Sequence, residues 1–564
     1  MLLDTGYPPR DAGRYRAAGY WGTGTIGAEL RAAATAHPAA EALVTDERRL
    51  TYADLDARTD AMARLLAQAG LRPGDPVLVQ AGNTAETVEA FYALIKMGAV
   101  PVCTLVPFGH HEIGAIAAIT GARAHLVQAD LPGRDLVAFA REVRASVPGM
   151  ELILTIRGAA DGTLRIDDLP STDGRQPAGQ DRDQARGGNP DAIAVLQLSG
   201  GTTGTPKAIP RRHAEYWYYG RATGQRFGYA PGDRVAHFLP LLHNAGIHTA
   251  LLGAHAAGAT LVLGTSWDPA YVLDVLRRER ITHLATLTTL ITTICDEPGF
   301  AAATRYLRRL SLALPAVPAE LFGRLSARGL AVCQFYGMSE GFACSAPTSA
   351  SARMRGETVG YPLSPADEFI VADPETGAEA PAGEAGELCV RGPYTLRSYY
   401  NAAGHDARAF TPGGFFRTGD LVTVRHIDGR PCLRIEGRHK DLISRGGEKI
   451  NVAEVEDLLL RLPAVTAAAL VAMPDPRLGE RACAFLVTVP GTRPSLAEVR
   501  EFLHAAGVAK FKWPERLEFI ADMPLTPVGK VSKAMLRAEL ARRLGLSGGL
   551  YAARNRRRPA RADR

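Results

Sequence analysis

Between residues 27 and 130 the chain switches repeatedly between two hydrophobic periods. Ala28–Ala36, Tyr52–Ala69 and Thr84–Met97 space their apolar residues at helical intervals. Asp75–Gln80 and Pro101–Leu105 are short apolar runs that read as strands. Such alternation predicts parallel strands covered by helices. The pattern returns over 220–340, in Val235–Leu239, Tyr271–Arg280, His283–Leu287 and Leu330–Phe335. From 365 to 435 helical spacing fades and short strands dominate, as in Phe369–Ala372, Gly386–Arg391 and Cys432–Glu436. Beyond Gly437-Arg438 the order is helix 453–462, strands 466–472 and 482–489, helix 496–506 and a strand near Arg516–Ile520.

At 564 residues the chain is too long for one core. The expected architecture is α/β. A large N-terminal domain, 1–436, combines helix-covered parallel sheets with a small β-barrel-like part. A hinge at 437–441 leads to a small mobile C-terminal α+β domain, 442–545, and a disordered basic tail, 546–564.

The net charge of +6 says little about partners, because residues 546–564 hold six arginines and one aspartate. The rest of the chain is nearly neutral, so neither nucleic acid nor a membrane is expected as a partner of the body. The seven cysteines, at 103, 295, 333, 344, 389, 432 and 483, show no metal-site spacing. They read as buried apolar residues of a reducing compartment. The start, Met1-Leu-Leu-Asp-Thr-Gly-Tyr-Pro-Pro9, lacks a basic region and a long apolar core, so no signal peptide is expected and the cytoplasm is. Ile247–Leu263, the most apolar stretch, is interrupted by His248, His255, two glycines and two threonines, and reads as a buried helix followed by a strand.

The chemistry concentrates in Leu198-Ser-Gly-Gly-Thr-Thr-Gly-Thr-Pro-Lys207, entered from the apolar run Ala192–Leu198. Glycines permit sharp turns and close ligand approach, and inward N–H groups make a nest for an anion. Thr202, Thr203 and Thr205 add hydroxyls and Lys207 adds charge, so the natural guest is a polyphosphate. A Gly-rich surface turn without a ligand has a similar composition. The NTPase P-loop fits poorly, since Pro206 precedes the lysine and Ala208-Ile-Pro-Arg-Arg212 reads as extended chain rather than helix.

Five more segments look like parts of a site: Phe238-Leu-Pro-Leu-Leu-His-Asn244, Gln334-Phe-Tyr-Gly-Met-Ser-Glu340, Phe416-Arg-Thr-Gly-Asp420, Ser444-Arg-Gly-Gly-Glu-Lys449 and Pro524-Leu-Thr-Pro-Val-Gly-Lys530. The first three end strand patterns, where open α/β sheets bind ligands. The last two are lysine-bearing loops. Singly, each has an ordinary alternative: a cap or turn for Glu340 and Asp420, a satisfied buried histidine for His243, a solvated charge for Lys530.

Together, SGGTTGTPK, FYGMSE, TGD, GRHKDLISRGGEKIN and PVGKVSK resemble the ANL superfamily of adenylate-forming enzymes, over roughly residues 7–545. Within it the chain looks most like stand-alone aryl acid–AMP ligases of the 2,3-dihydroxybenzoate and salicylate type, through Arg14–Trp21, His243-Asn244, Arg391–Arg397, Arg445–Lys449 and Gly529–Lys533. The resemblance implies that a carboxylate attacks the α-phosphate of ATP, with Mg²⁺, and that the acyl-adenylate then passes to the phosphopantetheine thiol of a carrier protein. It assigns Ser199, Gly200, Gly201, Thr202, Thr203, Gly204 and Lys207 to the phosphates. Tyr336, Gly337, Met338 and Ser339 go to adenine and its surroundings, Asp420 and Arg438 to ribose, and Glu340 with Thr203 to the metal. Lys530 bridges carboxylate and α-phosphate, Lys440 is the hinge, and Gly446-Gly447 forms the thiolation loop.

The resemblance makes His243 catalytic together with Lys530, Lys207 and Glu340, and the implied acyl pocket comprises Asn244, Ala245, Thr249, Ala313, Leu314 and Gly341. Asn244 stands where the aryl ligases hydrogen-bond the ortho hydroxyl, which implies an aromatic acid with an ortho hydroxyl, amino group or ring nitrogen. Thr249 permits a second hydroxyl without requiring one. Ala245 replaces the family's tyrosine, and Ala313-Leu314-Pro315 its Gly-Gly-Ala turn, so the pocket is reshaped. Two alternatives stay open: an aryl- or acyl-CoA ligase, and a non-catalytic nucleotide-binding homologue.

Overall fold

The computed structural model describes residues 6–169, 188–199, 207–313, 316–374, 376–438, 441–445, 448–475, 477–506, 508, 510–526 and 529–545. Among these, helices and strands alternate as the hydrophobic periods require. Helix Tyr52–Gln68 opens with a capping box between Thr51 and Asp54, and buries Leu55, Thr59, Met62 and Leu66 along one stripe. Helix Ala85–Met97 is buried over Ala85–Ile95, and Gly98, at φ +87°, ends it in the left-handed conformation that glycine adopts without steric cost.

The described residues pack as two compact units, one drawn from 1–370, 389–417 and 425–434, the other from 371–388, 418–424 and 435–564. The first contains two sheets. One has seven strands in the order 164–165, 152–156, 124–128, 76–80, 100–103, 193–198, 208–212. The other has nine, in the order 361–362, 342–345, 332–338, 309–313, 283–287, 234–237, 260–263, 41–44, 49–51. Strands 234–237, 283–287, 309–313 and 332–338 are consecutive parallel neighbours, so their carboxyl ends lie along one edge. The strand core is apolar on both faces, as a helix-covered parallel sheet demands.

In the second unit, strands 448–450, 443–445, 479–488 and 465–475 follow one another, with 516–519 added parallel to 479–488. Strands 368–372, 386–391, 416–427 and 430–438 form a separate four-stranded sheet.

Three expectations need correction. Phe416–Ile427 is one 12-residue strand, so Asp420 lies inside it rather than at its end. Ile443–Arg445 and Glu448–Ile450 pair antiparallel, so Ser444-Arg445 and Glu448-Lys449 of the lysine-bearing segment belong to strands rather than to a loop. The buried helix expected from Ile247 opens as a π-turn, Gly246–Leu251, before the α-helix Leu252–Ala256. All seven cysteines are buried thiols. No helix among the described residues is long and apolar enough to cross a membrane.

Candidate functional site

The strand Ile193–Leu198 is buried throughout and pairs antiparallel with Ala208–Arg212. The Gly/Thr segment therefore joins two strands, not a strand to a helix. Its neck is tied twice: Ser199 N donates to Lys207 O at 3.0 Å, and Lys207 N donates to Ser199 Oγ at 3.0 Å. Gly200, Gly201, Thr202, Thr203 and Gly204 lie outside the described residues.

Lys207 Nζ stands 5.4 Å from the centroid of the Tyr399 ring, a cation–π distance. The Tyr399 hydroxyl donates to Glu340 Oε1 at 2.8 Å. Burial first, and then the Glu340 carboxylate, push the Tyr399 phenol far above its ordinary range, so it stays a donor. Lys207 and Glu340, 133 positions apart in sequence, thus meet across one aromatic ring.

Glu340 sits in the turn that links strand Val332–Met338 to its antiparallel partner Phe342–Ser345. Gly341 closes that turn at φ +90°, where an added Cβ would lie 1.7 Å from the Tyr394 carbonyl oxygen. Tyr336 and Ser339 are buried beside it, and Gly337 and Met338 are half-buried.

Asn244 follows strand Arg234–His237 and is 2% exposed. Its Oδ1 accepts from the Tyr216 hydroxyl at 3.0 Å, and its Nδ2 donates to the Met338 carbonyl at 3.3 Å. His243 accepts at Nδ1 from Ala245 N at 3.3 Å, so a neutral ring carries its proton on Nε2. The Thr249 hydroxyl donates to the Ala245 carbonyl at 2.6 Å, which leaves it only lone pairs to offer a ligand. Ala313 ends strand Arg309–Ala313. Leu314 lies outside the described residues. Asn244, Ala313 and Glu340 therefore follow the carboxyl ends of parallel strands of one sheet, the ligand edge of an open sheet.

Behind Asn244 lies a buried polar block. The Arg211 guanidinium pairs with Glu215 at 2.9 Å and donates to the Tyr394 carbonyl at 3.0 Å. It also stands 4.7 Å from the centre of the Tyr216 ring. Burial raises the Glu215 carboxyl to about 7, against the opposing pull of Arg211. Tyr219 stacks between His248, at 4.0 Å, and Tyr394, at 4.3 Å. Tyr216 and Tyr399 were missed in the sequence. Their signal was the aromatic run Tyr216-Trp217-Tyr218-Tyr219 and the doublet Tyr399-Tyr400, since a buried tyrosine hydroxyl needs a polar partner.

The second unit holds its own candidates. Arg438 Nε donates to Asp420 Oδ1 at 2.8 Å, and Asp420 is buried. Lys530 is exposed on a short hairpin, tied by Thr526 N to Lys530 O at 2.6 Å and by Lys530 N to Thr526 Oγ1 at 3.1 Å. Lys440, Gly446 and Gly447 lie outside the described residues.

Residues 30–400 match the family of AMP-binding enzymes, and residues 454–530 match the AMP-binding enzyme C-terminal domain. The chain is similar to pyochelin synthase PchD of Pseudomonas aeruginosa (strain UCBPP-PA14), with 39% identity covering 95% of this chain and 96% of that one. It is also similar to a salicylyl-CoA synthase / salicylate adenylyltransferase of Streptomyces sp, with 38% identity covering 94% of this chain and 96% of that one. Among solved structures it resembles apo MbtA of Mycobacterium smegmatis, with TM-score 0.70, 36% identity, and coverage of 94% and 98%.

Proposed function

This chain belongs to the AMP-binding enzyme family, and on that premise we propose that it activates an ortho-substituted aromatic carboxylic acid as its acyl-adenylate and passes the acyl group to a carrier protein's phosphopantetheine thiol. One observation carries the reading. Asn244, a buried amide suited to an ortho hydroxyl, is bonded to Met338, two residues before the carboxylate of Glu340. Ring recognition and phosphate chemistry thus share one strand end. The similarity to PchD and to the salicylate adenylyltransferase supports an aryl acid.

In the first step the carboxylate attacks the α-phosphate of ATP and pyrophosphate leaves. Little covalent work falls to the protein, so orientation and charge stabilisation dominate. Ser199, Gly200, Gly201, Thr202, Thr203, Gly204 and Lys207 hold the leaving phosphates. Tyr336 with Gly337, Met338 and Ser339 lines the adenine site, and Asp420 with Arg438 takes the ribose hydroxyls. Lys530 supplies positive charge to the reacting oxygens.

The residues fit a bound Mg²⁺: a carboxylate is a hard oxygen donor, and this ion keeps several waters and phosphate oxygens, needing few protein ligands. Glu340, with Thr203, would hold it, and when bound it neutralises charge on the triphosphate. In the second step the carrier thiol attacks the acyl carbon of the adenylate, the thioester C–S bond forms as the acyl–O bond to AMP breaks, and AMP and the thiol proton leave, with Gly446-Gly447 lining the approach and Lys440 as the pivot. Dependence on ATP places the enzyme in the cytoplasm.

His243 acts in the catalytic set with Lys530, Lys207 and Glu340, and the acyl pocket takes Asn244, Ala245, Thr249, Ala313, Leu314 and Gly341. Leaving the Asn244 amide unpaired costs about 1–3 kcal/mol, which disfavours a ring without an ortho partner. Because the Thr249 hydroxyl already donates to Ala245, a second ring hydroxyl there must itself donate. The test is ATP–pyrophosphate exchange over benzoate, salicylate, 2,3-dihydroxybenzoate, anthranilate and 3-hydroxypicolinate, followed by acyl transfer to a purified aryl carrier protein and to coenzyme A. Exchange only with ortho-substituted acids, and loading of the carrier alone, is the expected result. Acyl-CoA formation instead would make the chain a CoA ligase, and no exchange with any acid would sink the reading.

A further inference from the structure

An asparagine amide reads a ligand only if its two ends are told apart. Rotation about its last side-chain bond is soft, and the N and O ends are similar in size. At Asn244 two neighbours settle the matter. The Met338 carbonyl can only accept, so it takes the nitrogen end, at 3.3 Å. The Tyr216 phenol therefore meets the oxygen end, at 3.0 Å, and must donate. An amide has two N–H groups and two oxygen lone pairs. One of each is consumed, and one of each is left in a fixed plane. The bond from Tyr216 is the shorter of the two anchors.

Tyr216 is itself held. It is fully buried on helix His213–Phe227 and lies under the Arg211 guanidinium, which is locked by Glu215 and the Tyr394 carbonyl. Burial pushes the phenol well above its ordinary range, so it remains protonated and donating at all working pH values.

We propose that Tyr216 is a specificity-setting positioning residue: its hydroxyl orients the Asn244 amide so that acids bearing an ortho polar group are preferred over those lacking one. The inference rests on the aryl-acid reading above, and deepens it by adding a residue that touches no substrate atom.

The test is a double-mutant cycle on the full chain, with salicylate and benzoate in ATP–pyrophosphate exchange. Tyr216→Phe keeps the ring and its stacking under Arg211 and removes one hydrogen bond. It is expected to raise KM for salicylate about three- to tenfold while kcat, and the KM for benzoate, move less than twofold. In an Asn244→Ala background the same change is expected to leave the salicylate/benzoate ratio unaltered, since the two residues act as one unit. If Asn244→Ala erodes the ratio but Tyr216→Phe keeps it at the wild-type value, the positioning role is wrong and the substrate reading stands. If Asn244→Ala leaves the ratio unchanged, the substrate reading fails and the positioning role fails with it. Equal losses for both acids in Tyr216→Phe would mark a purely structural tyrosine and overturn the proposal.

Discussion

The larger unit and the smaller one present their candidate residues in opposite ways. In the larger, Asn244 is sealed from solvent, bonded at both ends, and backed by a buried arginine–glutamate pair. In the smaller, Lys530 stands exposed on a segment tied by backbone bonds. Groups that discriminate between ligands profit from being fixed before the ligand arrives. A charge needed at only one stage of a reaction gains nothing from being buried, because burial would depress its pKa. Under the function proposed above, the contrast therefore separates recognition from timing.

The largest effect expected from this contrast is on acid stability. Seven histidines of the larger unit have their pKa lowered, chiefly by burial: His125 to about 3, His213, His237, His255 and His283 to about 4, His248 well below 6.5, and His405 below its ordinary value. Below the unfolded value of about 6.5 the unfolded chain binds these protons and the folded unit does not, so stability falls with pH. Glu215 and Asp367, raised to about 7 by burial, act in the opposite sense but are fewer. Between pH 6.5 and 4.5 the larger unit should lose roughly 1.4 kcal/mol per pH unit for each net proton taken up on unfolding. Urea unfolding at pH 7 and pH 5, read by pulse proteolysis, should show the larger unit yielding first at the lower pH. A pH-independent midpoint for that unit would break the comparison.

Next in size is Lys530→Ala, which should lower acid-dependent exchange by ~10²–10³, as for loss of one transition-state donor. Thioester formation from pre-made adenylate should be spared. Exchange at the wild-type rate would remove Lys530 from the chemistry. Gly341→Ala probes the rigid side. Positive φ and a Cβ 1.7 Å from the Tyr394 carbonyl should together cost about 3 kcal/mol or more, visible as a lower urea midpoint. A wild-type midpoint would mean that the strand turn yields easily. The smallest effect is that of Tyr399→Phe. It removes the hydroxyl that orients Glu340, and should raise the Mg²⁺ concentration for half-maximal exchange about tenfold. An unchanged requirement would separate Glu340 from the metal.

Much of this organisation was legible in the residues. The strand–helix alternation of 27–130 appears within one or two residues of where its periods place it, because each period is dictated by a buried face. Pro210 announced the extended segment after the Gly/Thr segment, and it is strand Ala208–Arg212. What stayed hidden was of another kind. Nothing local in the sequence pairs Tyr399 with Glu340 or Tyr216 with Asn244, because those bonds depend on which strand ends become neighbours. The length of strand Phe416–Ile427 was hidden too, since Gly419 and Asp420 within it imitate a turn.

The π-turn at Gly246–Leu251 has an evolutionary consequence. Such a turn holds one residue more than an α-helical turn would need, and its wide geometry is expelled as soon as that extra residue is lost. Removing a single codon there would return the segment to α-helical geometry and leave the flanks in register, so that only the side chains of the turn itself are re-aimed, in one genetic event. Asn244, Ala245 and Thr249, proposed above to line the acyl pocket, lie on this stretch or just ahead of it, so on that proposal a one-residue deletion would reshape the pocket while leaving the rest of the helix in place.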